Sequence, residues 1–319
     1  DLHGGWRDGA GSLRDVPGSG LKRVILLSDG QANQGLTDAA EIAAQCARWA
    51  AQGVTTSTYG LGRNFNEELM IAMARAGGGS SYYGDTAEDL MEPFERELEL
   101  LGNLCLRELR LAVQVPDGVE VEVLNDLPRT GGQWHLSDLA WGAEAWAVLR
   151  LKVPATSLPP LGAVAPLLRV SVTGRAPGGE PVQLERAGLS VPVLSAGHHG
   201  ALADDELVTR RLIELAAAEA LTRVRAAAAR GQWNVVDRML EEASRQFAGN
   251  EWVASILTAM RSIADSRERE RAMKEMMYSS AKLRDRLAAR DETVQFSMAA
   301  EVDVPAFLRR KAVQGKAGE

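Results

Sequence analysis

The feature that most constrains this chain is a short apolar run that ends abruptly in a turn. Residues 24–27 are four consecutive large apolar side chains, and Ser28-Asp29-Gly30 follows them directly. A run of this length, bounded by turn formers, is typical of a strand buried on both faces of a parallel sheet. Asp29 is therefore predicted to stand at the carboxyl end of a strand, where ligand sites form in open α/β sheets.

A plainer interpretation of Asp29 is also open. Aspartate is common in turns because its side chain accepts hydrogen bonds from nearby backbone N–H groups. Gly30 next to it lets the backbone turn sharply. On this interpretation, replacing Asp29 with alanine would lower the stability of the fold rather than remove a ligand site.

Four segments, in the right order, resemble the von Willebrand factor A family. Together they cover about the first third of the chain, and each is similar to one part of the family pattern. These are Asp1 to Ala10 (after the second-motif threonine), Ser28-Asp29-Gly30 (the third metal-site motif), Val54 to Gly62 (the next strand and glycine turn) and Asp85 to Asn103 (the closing helix).

The resemblance implies a metal-ion-dependent adhesion site that binds Mg²⁺ or Mn²⁺. Asp29 would be its metal residue, usually reaching the ion through water. The further ligand-binding residues expected around it are Ser28, Gly30, Gln31, Asn33 and His3.

The rest of the family's metal site is not found in this chain. The first motif, D-x-S-x-S, has no match at a corresponding position, and the threonine of the second motif would come immediately before Asp1. We therefore expect that the chain lacks the N-terminal half of the domain. A cation site would then form only when that half is restored.

The resemblance also implies a function. In the family, an acidic side chain on a protein partner fills the open coordination position of the ion, so we expect a non-enzymatic protein-binding module. Bacterial proteins of this kind are associated with MoxR-type AAA+ ATPases, which implies a role in assembly or maturation of other proteins. The alternatives are a structural scaffold with a degenerate metal site and, further away, a hydrolase or phosphoryl-transfer enzyme that uses Asp29. Neither G-x-x-x-x-G-K-[ST] nor G-x-S-x-G occurs in the sequence.

Pattern changes along the chain predict several regions. Residues 1–103 alternate strand and helix, which predicts a partial, doubly wound parallel sheet with helices on both faces. Residues 104–195 contain short alternating strands, typical of an antiparallel β-sandwich. Residues 196–203 are predicted as a linker, 204–290 as a helical bundle and 291–319 as a disordered tail.

Three tryptophans fall in the predicted sandwich, namely Trp134, Trp141 and Trp146. They could line a carbohydrate or peptide groove. Packing in the core or at its rim is the alternative, because large aromatic side chains dominate core burial in small β domains.

Composition argues against some partners. The 319 residues carry a net charge of −7, so no basic surface favours nucleic acid or an anionic membrane. No run of 18 apolar residues predicts a membrane span, and no signal-peptide pattern is visible at the start. We expect a cytoplasmic location.

The tail contains one distinctive segment, Glu301 to Lys311, with the sequence EVDVPAFLRRK. It resembles the C-terminal recognition peptide of the tubulin-like bacterial division protein. This predicts a partner-binding peptide, although Phe307 could instead pack on the chain's own helices. The residues expected to carry the interaction are Asp303, Pro305, Phe307, Leu308 and Arg309.

Overall fold

The computed structural model describes residues 1–18, 20–62, 64–141, 144–184 and 187–285. It contains a sheet region (residues 1–103), an antiparallel region (104–195) and a helical region (196–285). No helix in the described ranges is long and apolar enough to cross a membrane. The tail residues predicted to bind a partner lie outside the described residues; they are Asp303, Pro305, Phe307, Leu308 and Arg309.

The sheet region alternates helices with three parallel strands in the order β1-β2-β3. This confirms the predicted parallel α/β arrangement, but the helix before β1 was not predicted. That first helix begins at Asp1, whose Oδ1 accepts a hydrogen bond from the Gly4 backbone N–H at 2.7 Å. The elements are α1 (Leu2–Arg14), β1 (Lys22–Ser28), α2 (Ala39–Ala50), β2 (Val54–Leu61), α3 (Glu67–Ala76), β3 (Gly78–Gly84) and α4 (Ala87–Gly102).

Helices cover both faces of the sheet. Alternate side chains of β2 point to opposite faces, so the contacts of Thr56 and Tyr59 show which helices lie on each face. On one face, the Trp6 indole of α1 donates to Thr56 Oγ1 at 3.0 Å. Helices α1, α2 and α3 form an apolar core there with Trp6, Ile42 and Met73 fully buried. On the other face, the Tyr59 ring contacts Phe94 of α4.

Strand β1 is one of the two outer strands of the described sheet, since it pairs with β2 alone among the described strands. Its residues are half-buried, and the Leu27 side chain is 60% exposed. The prediction that residues 24–27 are buried on both faces is therefore wrong in this chain. The physical reason is that β1 has a neighbouring strand on one side only among the described strands, while α4 packs mainly on β2 and β3.

Helix α4 is rotated relative to the prediction. The helical spacing of Leu90, Phe94, Leu98 and Leu101 predicts that these four face inward, but Phe94 and Leu98 are 39% and 50% exposed. Glu97 is buried in their place, because its carboxylate bonds to polar groups beneath the helix.

The antiparallel region confirms the predicted strands and adds the short strands β6, β7 and β8. Seven strands form one sheet, ordered β11-β10-β4-β7-β6 with β12 beside β10 and β8 beside β4, while β5 and β9 pair separately. Face-to-face packing of these sheets as a sandwich stays a prediction. The strands are β4 (Leu104–Gln114), β5 (Glu120–Val123), β6 (Arg129–Thr130), β7 (Gln133–His135), β8 (Leu139–Ala140), β9 (Leu149–Lys152), β10 (Val164–Arg175), β11 (Pro181–Gln183) and β12 (Ala187–Pro192).

The described helical region contains one short helix within the predicted linker and four longer ones where a helical bundle is predicted. Their core buries Leu221, Leu240 and Met260 almost completely. The last helix packs against the first long one and also reaches the sheet region, where Tyr278 joins Phe65, Met70 and Tyr83 in an apolar cluster. The helices are α5 (Ala196–His199), α6 (Glu206–Ala229), α7 (Trp233–Gln246), α8 (Glu251–Asp265) and α9 (Arg269–Asp285).

Candidate functional site

The candidate site is the turn at the carboxyl end of β1. Strand β1 ends at Ser28, which lies opposite Gly60 of β2 in the parallel register. Asp29 and Gly30 form the bend that follows, and the Asp29 side chain is exposed. Ser28 Oγ donates to the Gly30 carbonyl at 3.3 Å, which closes the bend. Within the described part of the chain, the Asp29 carboxylate has neither a hydrogen-bond donor nor an ion-pair partner.

The loop after Asp29 is held by one hydrogen bond and passes close to Asp1. Gln31 Nε2 donates to the Asn64 carbonyl at 2.8 Å, which joins this loop to the one after β2. Gly35 has a φ of +71°, and a Cβ at this position would stand 2.5 Å from Asp1 Oδ2. Glycine is therefore required there for its backbone conformation and for space. Asn33 is exposed.

His3 occupies a different position from the one predicted. Its side chain is buried, and its Nε2 lies 2.9 Å from Gln45 Oε1 of α2. The ring also lies near Trp6, with centroids 5.9 Å apart. His3 thus helps to pack α1 on α2, and no contact with Asp29 is present among the described residues.

The donor set at this turn does not amount to a complete Mg²⁺ site. Mg²⁺ requires near-octahedral oxygen coordination, and the described residues contain no group of three or more histidine, cysteine or acidic side chains placed to hold a metal. Asp29 supplies a single carboxylate. The residues of this chain fit a partial site at most.

Sequence reasoning missed the residues that border the candidate site on the β2 and β3 side. The Phe65 ring packs over Gly60 so closely that any Cβ at Gly60 would overlap it. Lys274 Nζ of α9 lies 4.0 Å from the centroid of that ring. No sequence motif marks these residues; they come together because α9 returns to the sheet region.

A second polar cluster lies under α4 and extends from Arg23, near the amino end of β1, to Ser57 in the middle of β2 and Tyr82 of β3. The Glu97 carboxylate accepts from Arg23 at 2.6 Å, from Ser57 at 2.5 Å and from Tyr82 at 2.9 Å. Burial raises the pKa of the Tyr82 hydroxyl, so it stays protonated and donates to Glu97. Arg23 also approaches Asp138 of the antiparallel region, at 3.4 Å.

This cluster connects two regions rather than offering a ligand site. A cavity of about 30 Å³ adjoins Arg23, Glu97 and Asp138, which is room for about one water molecule. The carboxylate of Glu97 already has three donors. Its chemistry is therefore structural: it holds β1, α4 and the antiparallel region together.

The tryptophans of the antiparallel region lie in different surroundings. Trp134 is buried, with the Arg129 guanidinium 4.4 Å from its ring centroid. Trp146 is covered by Arg211 of α6 at 4.8 Å, and Trp141 is 73% exposed. Trp134 therefore packs in the interior, as the alternative to a binding groove predicts.

No family model matches the sequence. A von Willebrand factor type A protein from Catenulispora acidiphila has a similar structure, with a TM-score of 0.59 at 15% identity over 89% of this chain and 70% of that one. Because the match covers 89% of this chain, it includes residues from each of the three regions. The chain has a von Willebrand factor A fold. The resemblance of the first third is thereby confirmed at the level of fold, while the absence of an N-terminal half stays a prediction.

Two other solved structures are similar. Human COPII-coat protein Sec24c matches with a TM-score of 0.51 and 12% identity, over 87% of this chain and 42% of that one. The ArnB paralog VWA2 from Sulfolobus acidocaldarius matches with a TM-score of 0.45 and 16% identity, over 81% of this chain and 63% of that one.

One curated relative is similar in sequence to part of this chain. The uncharacterized protein YfbK of Escherichia coli is 30% identical over 96 residues, which are 30% of this chain. The match spans 17% of the relative's length.

Proposed function

We propose that this chain is a non-enzymatic protein-binding module whose contact surface is the carboxyl edge of the parallel sheet around Asp29. The observation that carries the proposal is the state of Asp29: an exposed carboxylate at a strand end, fixed by the Ser28–Gly60 register, without a bonding partner in the described residues. A carboxylate at this edge of an open sheet is placed to contact a ligand.

Metal dependence is the second part of the proposal. Mg²⁺ or Mn²⁺ would need oxygen ligands from outside this chain, because Asp29 alone cannot complete the coordination shell. With the ion bound, a hard cation would attract an acidic side chain of the partner. Ser28 and the Gly30 bend hold Asp29 in position for this.

The partner in this proposal is a protein that presents an acidic side chain, with a MoxR-type AAA+ ATPase as the candidate and assembly or maturation of other proteins as the setting. A cytoplasmic location belongs to the same proposal. The support is the fold together with the sequence resemblance around Asp29.

A structural scaffold is the second candidate, and a specific observation favours it. The described residues supply no three-ligand cluster, whereas the Glu97 cluster joins two regions with good geometry. A scaffold would use the second feature and need no metal.

Calorimetric titration with Mg²⁺ separates the two candidates. Residues 1–319 alone should show no sub-millimolar binding, and a longer protein that carries a D-x-S-x-S motif upstream should bind. Asp29→Ala in the longer protein should weaken that binding, while Asp117→Ala, an exposed aspartate in a turn of the antiparallel region, serves as the matched control. Sub-millimolar binding by residues 1–319 would contradict the need for ligands from outside this chain. Unchanged affinity of the longer protein after Asp29→Ala would rule out Asp29 as a metal residue.

A further inference from the structure

Helix α9 of the helical region reaches the carboxyl edge of the sheet, next to the loop that carries Asp29. We propose that Lys274 of α9 is a positioning residue for this loop and that it acts through Phe65. The proposal rests on the proposed function in one respect only, that the Asp29 loop is the binding surface. It adds that the helical region sets the conformation of that surface.

The first step is the contact between α9 and Phe65. Lys274 is only 3% exposed, and its Nζ lies 4.0 Å from the Phe65 ring centroid and 5.9 Å from the Tyr83 centroid. An ammonium group over an aromatic face is attracted by the ring quadrupole, more strongly when water is excluded. The Lys274 ammonium group therefore packs against the face of the Phe65 ring.

The second step is the contact between Phe65 and the sheet. The Phe65 side chain is 1% exposed and lies against the bare backbone of Gly60. Gly60 is the register partner of Ser28, the residue before Asp29. The ring is thus enclosed between α9 and the strand end, and a shift of α9 must be taken up by Phe65 and its neighbours.

The third step leads to the candidate loop itself. Asn64 precedes Phe65 in the chain, and its carbonyl accepts the hydrogen bond from Gln31 Nε2. Gln31 lies two residues after Asp29. Movement of the Phe65 backbone displaces this carbonyl and loosens the hold on the Asp29 loop.

Helix α9 is rigid enough for this role because it is fixed on both sides of Lys274. Tyr278 stacks on Tyr83 with centroids 5.6 Å apart, and Arg271 lies 3.7 Å from Asp85. Ser280 further along the helix donates to the Ala218 carbonyl of α6 at 3.1 Å. The helix is therefore attached both to α6 and to the sheet region.

The test is NMR spectroscopy of the full chain without metal, comparing the amide signals of residues 29–37, with the side-chain amide of Gln31, to those of residues 42–50 of α2. Lys274→Met keeps the apolar stem and removes the charge. We expect the signals of residues 29–37 and of the Gln31 side chain to shift from their wild-type positions, because the cation that holds Phe65 is lost, while the signals of residues 42–50 are unchanged. Lys274→Arg, which keeps a cation over the ring, should restore the wild-type positions.

Two further variants separate a positioning role from general loosening of the interface. Arg225→Gln breaks the contact of α6 with Glu68 of α3, 2.7 Å long, without touching Phe65 or Asn64, and should leave residues 29–37 unchanged. Gln31→Leu removes the last link, so Lys274→Met added to it should have no further effect on the loop.

The proposal is overturned if Lys274→Met leaves the signals of the loop unchanged, shifts the signals of both segments equally, or acts equally in the Gln31→Leu background. Because no metal or partner is used, this outcome is independent of the titration above. A failed titration would remove the proposed function and leave the positioning role of Lys274 as measured.

Discussion

Glu97 and Asp29 lie near opposite ends of β1, and their carboxylates differ in burial and in the number of hydrogen-bond donors. Glu97 is 1% exposed and has three donors, one of them the Arg23 guanidinium. Asp29 is exposed and has no donor among the described residues. The lone pairs of Glu97 are used within the protein, so it can serve structure alone, whereas those of Asp29 are open to a ligand. Exposure and bonding state, rather than residue type, separate a structural carboxylate from a candidate binding one.

The strongest test of this contrast is Glu97→Gln. The amide keeps the shape but removes the charge that Arg23 faces in a buried site, so we expect a loss of about 3–5 kcal/mol in the free energy of unfolding. Urea denaturation measures it. Glu95→Gln, exposed on the same helix, should change stability by no more than about 0.5 kcal/mol. Similar values for the two variants would remove the structural role from Glu97.

The second test concerns how firmly β1 is held. Its amides can bond to β2 on one side only, whereas β10 lies between β4 and the strands β11 and β12. We expect residues 24–27 to show alternating protection in hydrogen exchange, with slow amides facing β2 and fast ones facing the open edge. Residues 169–173 of β10 should be slow throughout. Uniform slow exchange in β1 of the monomer would contradict this.

The third test uses pH and the antiparallel side of the Glu97 cluster. Burial raises the pKa of the Asp138 carboxyl, although Arg23 opposes the shift. A raised pKa means that this group's contribution to stability is fully present below its unfolded pKa of about 3.9 and is lost as pH rises through the folded pKa.

Asp138→Asn removes that titration. The stability of the wild type relative to Asp138→Asn should therefore decrease as pH rises from below 3.9 through the folded pKa. Thermal unfolding of both proteins from pH 3 to pH 7 measures the difference. A constant difference, or one that grows with pH, would show that burial does not control this carboxyl.

The smallest expected effect is that of Asp29→Ala on stability. Because Asp29 has no partner among the described residues, its loss should change the free energy of unfolding by no more than about 0.5 kcal/mol. Urea denaturation is again the measurement. A loss near 2 kcal/mol would favour the plainer interpretation, in which Asp29 holds the turn through backbone hydrogen bonds.

The fold of the sheet region was predictable where the signal is local. The capping residues Asp38 and Asn66 each accept from a backbone N–H in the first turn of their helices, and the apolar run at residues 24–27 marked β1. The orientation of α4 was not predictable, since Leu90, Phe94 and Leu98 have helical spacing. What turns the helix is Glu97 meeting Arg23, which is 74 residues away in sequence.

The candidate site was predictable only in part, for the same reason. Ser28-Asp29-Gly30 was found because its residues are adjacent and follow an apolar run. The position of His3 could not be foreseen, since its partner Gln45 lies on α2. Phe65 and Lys274 were missed because they meet only through the return of α9 to the sheet.

That return has a consequence for biosynthesis. Tyr278 and its contact residue Ser81 are 197 positions apart, and ribosomes add about 5–20 residues per second. The aromatic surface formed by Phe65 and Tyr83 therefore emerges roughly 10–40 s before the helix that covers it. During that interval the nascent sheet region presents apolar surface to its surroundings, so its safe maturation depends on the speed of translation or on temporary cover by a chaperone.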